Sequence, residues 1–436
     1  MSINKYLLFF GCIVFLTNCS SPNLDEDTDV VTNPTNSKPN ILLVIADDMG
    51  LDATPNFYEG SIKPNMPILQ GLMNTGVTFK NVWSYPVCTP TRASILTGKY
   101  GIKTGVLEVG NNINTTETSV QKYMDINTSN AYASAIIGKW HLSNSASDPI
   151  TMGVDYYAGL LTGGVQDYYN WRFTENGLKT TSTEYTTTKF TDLAIDWVDK
   201  QTKPWFLWLA YNAPHTPFHL APTNLHSQGS LPTDASSISN NPTPYYMSAI
   251  EAMDSELGRF INSMTTEEKA NTIIIFIGDN GTPNQVAQSP YSRTKAKGSM
   301  YQGGVNVPMV VAGVGVTRTN VQEDALVHTT DLFSTISTIA GITTSSIENS
   351  TSFYPLLSNE NATSREYVYT EISDNGTGYA IRNASYKYIK NINGTEELYN
   401  LTVDAYENVN LIGSTLTTEA SNAKAALITE AIRIRS

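Results

Sequence analysis

Cysteine is scarce in this chain, with three residues among 436, at positions 12, 19 and 88. So few thiols leave no disulfide framework, and no cysteine–histidine cluster offers zinc a ligand set. Histidine is nearly as rare, at five residues. Positive charge is in deficit: 27 Lys and Arg against 40 Asp and Glu leave a net charge of −13. That balance argues against a general nucleic-acid or acidic-membrane binder. An anionic ligand would have to be held by a local cluster of cations or by a metal. Long apolar runs are also missing. The run from Tyr6 to Leu16 is too short to span a bilayer, and nothing later is long and apolar enough. No internal repeat is present.

What is present suggests one large α/β domain with a smaller appendage, or two domains. Lys5 ahead of the Tyr6–Leu16 run reads as a targeting segment. Leu16-Thr17-Asn18-Cys19 resembles a bacterial lipoprotein box, with Asn18 where Gly, Ala or Ser is usual. The resemblance implies lipid on Cys19 and an exported lipoprotein of the periplasm or outer membrane, touching membrane only through its anchor. Simple cleavage and secretion is the alternative. The expected organisation is a signal over 1–19, a flexible Asp/Asn/Thr/Ser/Pro-rich tether over 20–37, a large α/β domain over 38–345 and a C-terminal subdomain over 346–436. With Cys12 removed and Cys19 lipidated, Cys88 is the one thiol left in the folded body.

Four apolar runs punctuate the large domain. Ile41–Ala46 ends in Asp47-Asp48, and Ala135-Ile136-Ile137 ends in Gly138-Lys139-Trp140-His141. Trp205–Ala210 leads to Asn212-Ala213-Pro214-His215, and Thr272–Ile277 leads to Gly278-Asp279-Asn280-Gly281. Continuous apolar runs read as parallel strands buried on both faces. Open α/β sheets bind ligands beyond the carboxyl ends of such strands. Four runs releasing polar residues at the same end describe one pocket.

Helical patterns separate the runs. Phe190, Leu193, Ala194, Trp197 and Val198 share a face, as do Ile250, Met253, Leu257 and Ile261, and Leu332, Phe333, Ile336 and Ile339. The alternation predicts a doubly wound, mostly parallel sheet flanked by helices. After about Ser345 short Tyr-rich segments broken by Asn and Gly predict a small antiparallel sheet, closed by a helix from about Thr417 to Arg433.

The remaining signal is Cys88-Thr89-Pro90-Thr91-Arg92, followed by Leu96-Thr97-Gly98. Read from the residues, a cysteine stands where a helix begins, with Pro90 tolerated in the first turn. An anion there would meet unpaired N–H groups and Arg92 together. The segment resembles the Cys-x-Pro-x-Arg signature of the formylglycine-dependent sulfatases. The likeness to type I sulfatases of the alkaline phosphatase superfamily extends from about Pro39 to Leu411, through five separated motifs in the family's order.

That resemblance implies a sulfuric ester hydrolase in which a maturation enzyme oxidises Cys88 to formylglycine. One hydroxyl of its hydrate attacks sulfur, the alcohol leaves, and the second hydroxyl eliminates sulfate and restores the aldehyde. It implies one Ca²⁺ ligated by Asp47, Asp48, Asp279 and Asn280 with residue 88. Arg92 would orient the diol, Lys139 and Lys297 would bind sulfate, His141 would take the diol's proton, and His215 would protonate the leaving oxygen. Lys297 is selected because Lys297-Gly298-Ser299-Met300-Tyr301-Gln302-Gly303-Gly304 matches the family's Lys-Gly-x-x-Tyr-Glu-Gly-Gly. Lys295 is left as a solvated or substrate-facing neighbour. Gln302, Ser143 and Thr91 stand where Glu, Gly and Ser are common. The aromatic segment from Tyr156 to Arg172 reads as a packed surface loop, or as a rim whose rings meet sugars and whose Arg172 meets an acidic group.

The expected substrate is a sulfated carbohydrate. Alternatives are a phosphodiester or phosphonate ester hydrolase with the same nucleophile motif, or a non-catalytic glycan-binding lipoprotein.

Overall fold

The computed structural model describes residues 38–343, 347, 349–373 and 377–436. The expected signal, Cys19 and tether lie outside them. Ten strands form the main sheet: β1 (Asn40–Ala46), β2 (Gly76–Trp83), β3 (Ala133–Lys139), β4 (Tyr156–Leu160), β5 (Trp171–Glu175), β6 (Leu178–Ser182), β7 (Trp205–Ala210), β8 (Thr272–Gly278), β9 (Met309–Gly313) and β10 (Val321–His328). Their order is β10-β2-β9-β8-β1-β7-β3-β4-β5-β6. The central block β8-β1-β7-β3-β4 is parallel throughout. β9 and β5 run against it.

Alternation along β1 shows why an unbroken apolar run was needed. Leu42, Val44 and Ala46 enter one core, with Phe190, Ala194, Ile250, Met253 and Leu257. Ile41, Leu43 and Ile45 enter the other, with Ile95, Leu96, Leu332, Phe333 and Ile336. Successive side chains leave a strand on opposite faces, so a strand clothed by helices on both sides cannot alternate with polar residues. All three helical faces read from the sequence are core-facing: Thr186–Val198, Thr243–Ser263 and Asp331–Ile339.

A second sheet is antiparallel, β11 (Val368–Ser373), β12 (Thr377–Arg382), β13 (Tyr386–Lys390) and β14 (Glu396–Asn400) in sequence order. The Thr418–Arg435 helix lays Ala420, Leu427, Ala431 and Ile434 against Tyr369, Ile381, Tyr388 and Leu398. No helix among the described residues is long and apolar enough to cross a membrane.

The Tyr156–Arg172 segment corrects the surface-loop expectation. It opens with β4 and ends at the start of β5, extending the main sheet, and Tyr157, Tyr168 and Trp171 are buried. The β5–β6 hairpin was missed because its short polar strand Leu178–Ser182 carries no apolar period.

Candidate active site

Register carries the four polar strand ends to one edge. Ala46 pairs with Gly278 across β1–β8, and Ala210 with Gly138 across β7–β3. Asp47-Asp48, Asp279-Asn280, Lys139 with His141, and His215 therefore emerge side by side. The facing wall is the Cys88–Thr97 helix, whose residues are all buried and which stops at Gly98 in the left-handed region (φ 69°). Cys88 is its first residue. Arg92, four positions on, lies one turn below on the same face.

Distances tie these side chains into one cluster. Cys88 Sγ lies 3.2 Å from His141 Nδ1, and Thr89 Oγ1 lies 3.3 and 3.2 Å from His141 Nδ1 and Nε2. Arg92 donates to Asp279 Oδ2 at 2.7 Å and to the Lys139 carbonyl at 2.9 Å. Lys139 Nζ donates to Asp47 Oδ2 at 2.6 Å, and Lys297 Nζ to Asp48 Oδ2 at 2.5 Å. Asn280 donates to Asp48 Oδ1 at 2.8 Å. His215 Nε2 stands 3.7 Å from Asp48 Oδ2. Every residue expected in the site is here.

Exposure gives the cluster a direction. The Arg92 and Lys139 side chains are fully buried, whereas those of Lys297 and His215 are 22% and 18% exposed. The opening is on the Lys297–His215 side, and Cys88 is the floor.

Burial sets the proton affinities, and neighbouring charges adjust them. Desolvation lifts Asp47 well above the usual carboxylate range, with Lys139 opposing and Asp279 and Asp48 reinforcing. Burial would lift Asp48 too, but Lys297 and His215 outweigh it and hold it below that range. Burial would lower Lys297, and Asp48 raises it instead. Burial pushes the Cys88 thiol up against Lys139. Desolvation, with Lys139 and Arg92, holds His141 far below an ordinary imidazole. Burial takes His215 down to about 4 although Asp48 pulls the other way.

The donor set fits a hard cation. One oxygen each from Asp47 and Asp279 lies with Cys88 Sγ within 4.8 Å of one another, and Asp47, Asp48 and His215 form a similar group. Asp47 Oδ1 and Asn280 Oδ1 are buried without a hydrogen-bond donor among the described residues. Buried oxygens without a partner are costly, and carboxylate and amide oxygens are what Ca²⁺ or Mg²⁺ binds.

Several contributors carried no motif. Thr89 holds the His141 ring from the helix side. Gly163 crosses so close to that ring that an added Cβ would come within 2.5 Å of His141 Nε2. Tyr168 donates its hydroxyl toward the Asn212 and His215 carbonyls at 2.7 and 2.6 Å, fixing the turn that presents His215. Tyr246 donates to the Asp48 carbonyl at 2.8 Å. Each depends on a contact remote in sequence, so no local pattern announces it.

Lys295 is a correction. Half-buried, it turns away from the site: its ammonium donates to the Glu407 carbonyl and lies 4.6 Å from the Tyr301 ring centroid. The departures from the family pattern have local partners. Gln302 accepts from the Trp83 indole at 3.0 Å, Ser143 from Trp140 at 3.1 Å, and Thr91 from the Tyr85 amide at 3.0 Å.

A buried cysteine at a helix start, facing a carboxylate-lined oxygen site and ringed by two lysines and an arginine, defines the class of site. The family model described as Sulfatase matches residues 39–342, and that described as N-sulphoglucosamine sulphohydrolase, C-terminal, matches residues 294–432. The chain belongs to the sulfatase family. It is 27% identical to the uncharacterized sulfatase YdeN of Escherichia coli (strain K12) over 69% of this chain and 62% of that protein. It is 28% identical to arylsulfatase J of Mus musculus over 73% of this chain and 55% of that protein. It thus spans less than two thirds of either relative. Among solved structures, Ps i-CgsB superposes with a TM-score of 0.76 at 25% identity, over 92% of this chain and 93% of that one.

Proposed function

We propose that this protein hydrolyses sulfate esters, with a sulfated carbohydrate as substrate, using formylglycine made from Cys88 by a maturation enzyme. One observation carries the reading: the Cys88 thiol, at a helix start, shares a 4.8 Å cluster with the Asp47 and Asp279 carboxylates and faces His141 at 3.2 Å. A structural cysteine needs none of that company. Formylglycine at position 88 supplies a hydrated aldehyde, an oxygen nucleophile where a thiol would be inert. Asp47, Asp48, Asp279 and Asn280 would hold Ca²⁺, which supplies positive charge for a sulfate oxygen.

The chain's own residues supply the rest. Arg92, clamped by Asp279 and the Lys139 carbonyl, fixes positive charge beneath residue 88 without reorganisation. Neutral His141 is placed to take a proton there. Lys139 and Lys297 bring ammonium groups to where sulfate charge accumulates. His215, at the mouth, is placed to protonate the leaving oxygen. Its low proton affinity is offset when a sulfate anion arrives beside it, because a nearby negative charge favours the imidazolium. We read Lys5–Leu16 and Cys19 as an export signal and lipid anchor, which would set the enzyme where polymeric glycans are met.

The test pairs chemistry with turnover. Protein co-expressed with a formylglycine-generating enzyme should carry an aldehyde at position 88 by peptide mass spectrometry and release sulfate from 4-nitrophenyl sulfate. Cys88→Ala should fold and lose turnover. Full activity with an unmodified thiol would overturn the mechanism. Faster cleavage of bis(4-nitrophenyl) phosphate would favour a phosphodiesterase instead.

A further inference from the structure

A cavity of about 520 Å³ adjoins the site, between the segment after β4 and the β5–β6 hairpin. Its two ends touch catalytic surroundings. Thr162, on its wall, precedes Gly163, which packs on His141, and Gly164, whose added Cβ would lie 3.1 Å from the His215 ring. Asn144, on the opposite wall, lies three residues after His141. The segment after β4 thus runs from the cavity wall at Thr162 to the His141 and His215 rings within two residues.

Its chemistry runs against that of the whole molecule. The chain carries −13, yet two cations and no carboxylate line this cavity. Pairing Arg172 with Thr181, and Thr174 with Lys179, puts all four on one face of the hairpin, since directly opposed residues of an antiparallel pair share a side. On the other face Trp171 and Phe173 join the core, with Phe173 and its partner Thr180 also reaching the cavity wall. Arg172 makes no hydrogen bond or ion pair among the described residues. Lys179 donates to the Asn144 carbonyl at 3.1 Å, leaving two of its three donors free. Leu160 and Leu161 add an apolar patch, and the threonines add hydroxyls. An apolar patch, hydroxyls and two cations with spare donors suit a sugar ring bearing an oxyanion.

We propose that this cavity is a binding subsite for an anionic sugar, bearing sulfate or carboxylate, next to the sugar whose ester is cleaved. The inference rests on the sulfatase reading for the cleaved ester and adds that the substrate is a polyanionic chain, not a singly sulfated sugar. Arg172 presents the planar fork suited to either oxyanion.

The experiment measures binding, on protein made without a maturation enzyme so that Cys88 stays a thiol and ligand is not consumed. Isothermal calorimetry at low salt is run with a κ-carrageenan hexasaccharide (sulfate only), a hexagalacturonate (carboxylate only) and cellohexaose (neutral). At least one anionic hexamer should bind more tightly than cellohexaose, and which one identifies the oxyanion. Arg172→Ala with Lys179→Ala should weaken it by about tenfold or more, since bonds to charged groups are individually strong. Melting temperature should stay put, because both side chains lie outside the core. Equal affinities for all three hexamers, no binding by either anionic one, or an unweakened double variant would each overturn the subsite. Arg172→Lys with Lys179→Arg, which keeps both charges, should retain most affinity; loss equal to the alanine pair would also count against it. None of these outcomes depends on turnover, so failure of the sulfatase reading registers separately.

Discussion

Two site residues adopt backbone that non-glycine residues avoid. Asp48 and His141 sit at φ 71° and 54°, a left-handed conformation costing about 1–2 kcal/mol per residue. Tertiary bonds hold them there. The Asp48 amide donates to Asp279 Oδ1 at 3.0 Å while its carbonyl accepts from Tyr246. The His141 amide donates to the Leu161 carbonyl at 3.1 Å. The twist turns each side chain off its strand line and into the cleft. His215 differs, being set at the mouth by Tyr168. His215→Ala is expected to cost about 100-fold or more in kcat/KM on an alkyl sulfate, and under about tenfold on an activated aryl sulfate, whose leaving group hardly needs a proton. Equal losses on the two substrates would assign the acid elsewhere.

Elements are joined to the frame by polar as well as apolar contacts. The Pro67–Thr75 helix has no side-chain cap of its own, so its first amides need an acceptor. Asp254, from the Thr243–Ser263 helix, accepts from Ile68 N at 3.0 Å and Leu69 N at 2.9 Å. Burial lifts its carboxyl to about 6 against these bonds. The folded state therefore holds this proton more tightly than the unfolded chain. The stability so contributed is complete below the ordinary carboxyl value and is lost as pH rises through about 6. Asp254→Asn cannot ionise but keeps only one acceptor oxygen, its NH2 group meeting the second backbone N–H. It should be less stable than the wild type near pH 4, and its stability relative to the wild type should rise by up to about 3 kcal/mol by pH 7.5. Melting curves across that range check the sign; a difference that does not change with pH would refute it.

At the scale of the molecule the C-terminal sheet supports the site from behind. Lys387 of β13 is fully buried; its Nζ lies 2.5 Å from Glu407 Oε1 and donates to the Met300 carbonyl at 2.6 Å. Burial brings Lys387 down to about 8, with Glu407 opposing. Glu407 Oε2 accepts from the Gln302 amide at 2.7 Å, and its carbonyl accepts from Lys295. One acidic residue thus fastens both flanks of the loop that carries Lys297. Glu407→Ala should destabilise the protein by about 3–5 kcal/mol by stranding a buried cation. Glu407→Leu with Lys387→Met should recover much of that loss in thermal melts; no recovery would show that the damage is not electrostatic. Calcium removal should act at this scale too. Chelation is expected to lower activity and melting temperature together, because a ligand that binds only the folded state is lost and the buried Asp47 Oδ1 and Asn280 Oδ1 are left without a partner. An unchanged melting temperature at near-zero metal content would remove the cation assignment.

How much of this was legible without coordinates follows from what is local. A strand covered on both faces must be continuously apolar, so Ile41–Ala46, Trp205–Ala210 and Thr272–Ile277 were readable, and so were the polar residues each releases at its end. The Cys88–Arg92 spacing, Pro90 and Gly98 describe a helix start and stop within one short stretch. β6 was not legible, because a strand on the sheet's edge needs no apolar period, and the alternation of β5 is carried by Trp171 and Phe173 alone. Lys295 and Lys297 are two residues apart, yet only packing against Tyr301 and Glu407 sends one away from the cleft and the other into it. Thr89 and Tyr168 act through contacts 52 and 44 residues away, Gly163 packs on His141 from another segment, and the Arg172–Lys179 cavity exists only once a hairpin folds over the segment after β4. Periodicity and spacing are written in neighbours along the chain and determine strands, helix ends and the identity of the reactive groups. Which of those groups meet, which face the opening and what flanks them are set by long-range packing, where a single register decides many contacts at once.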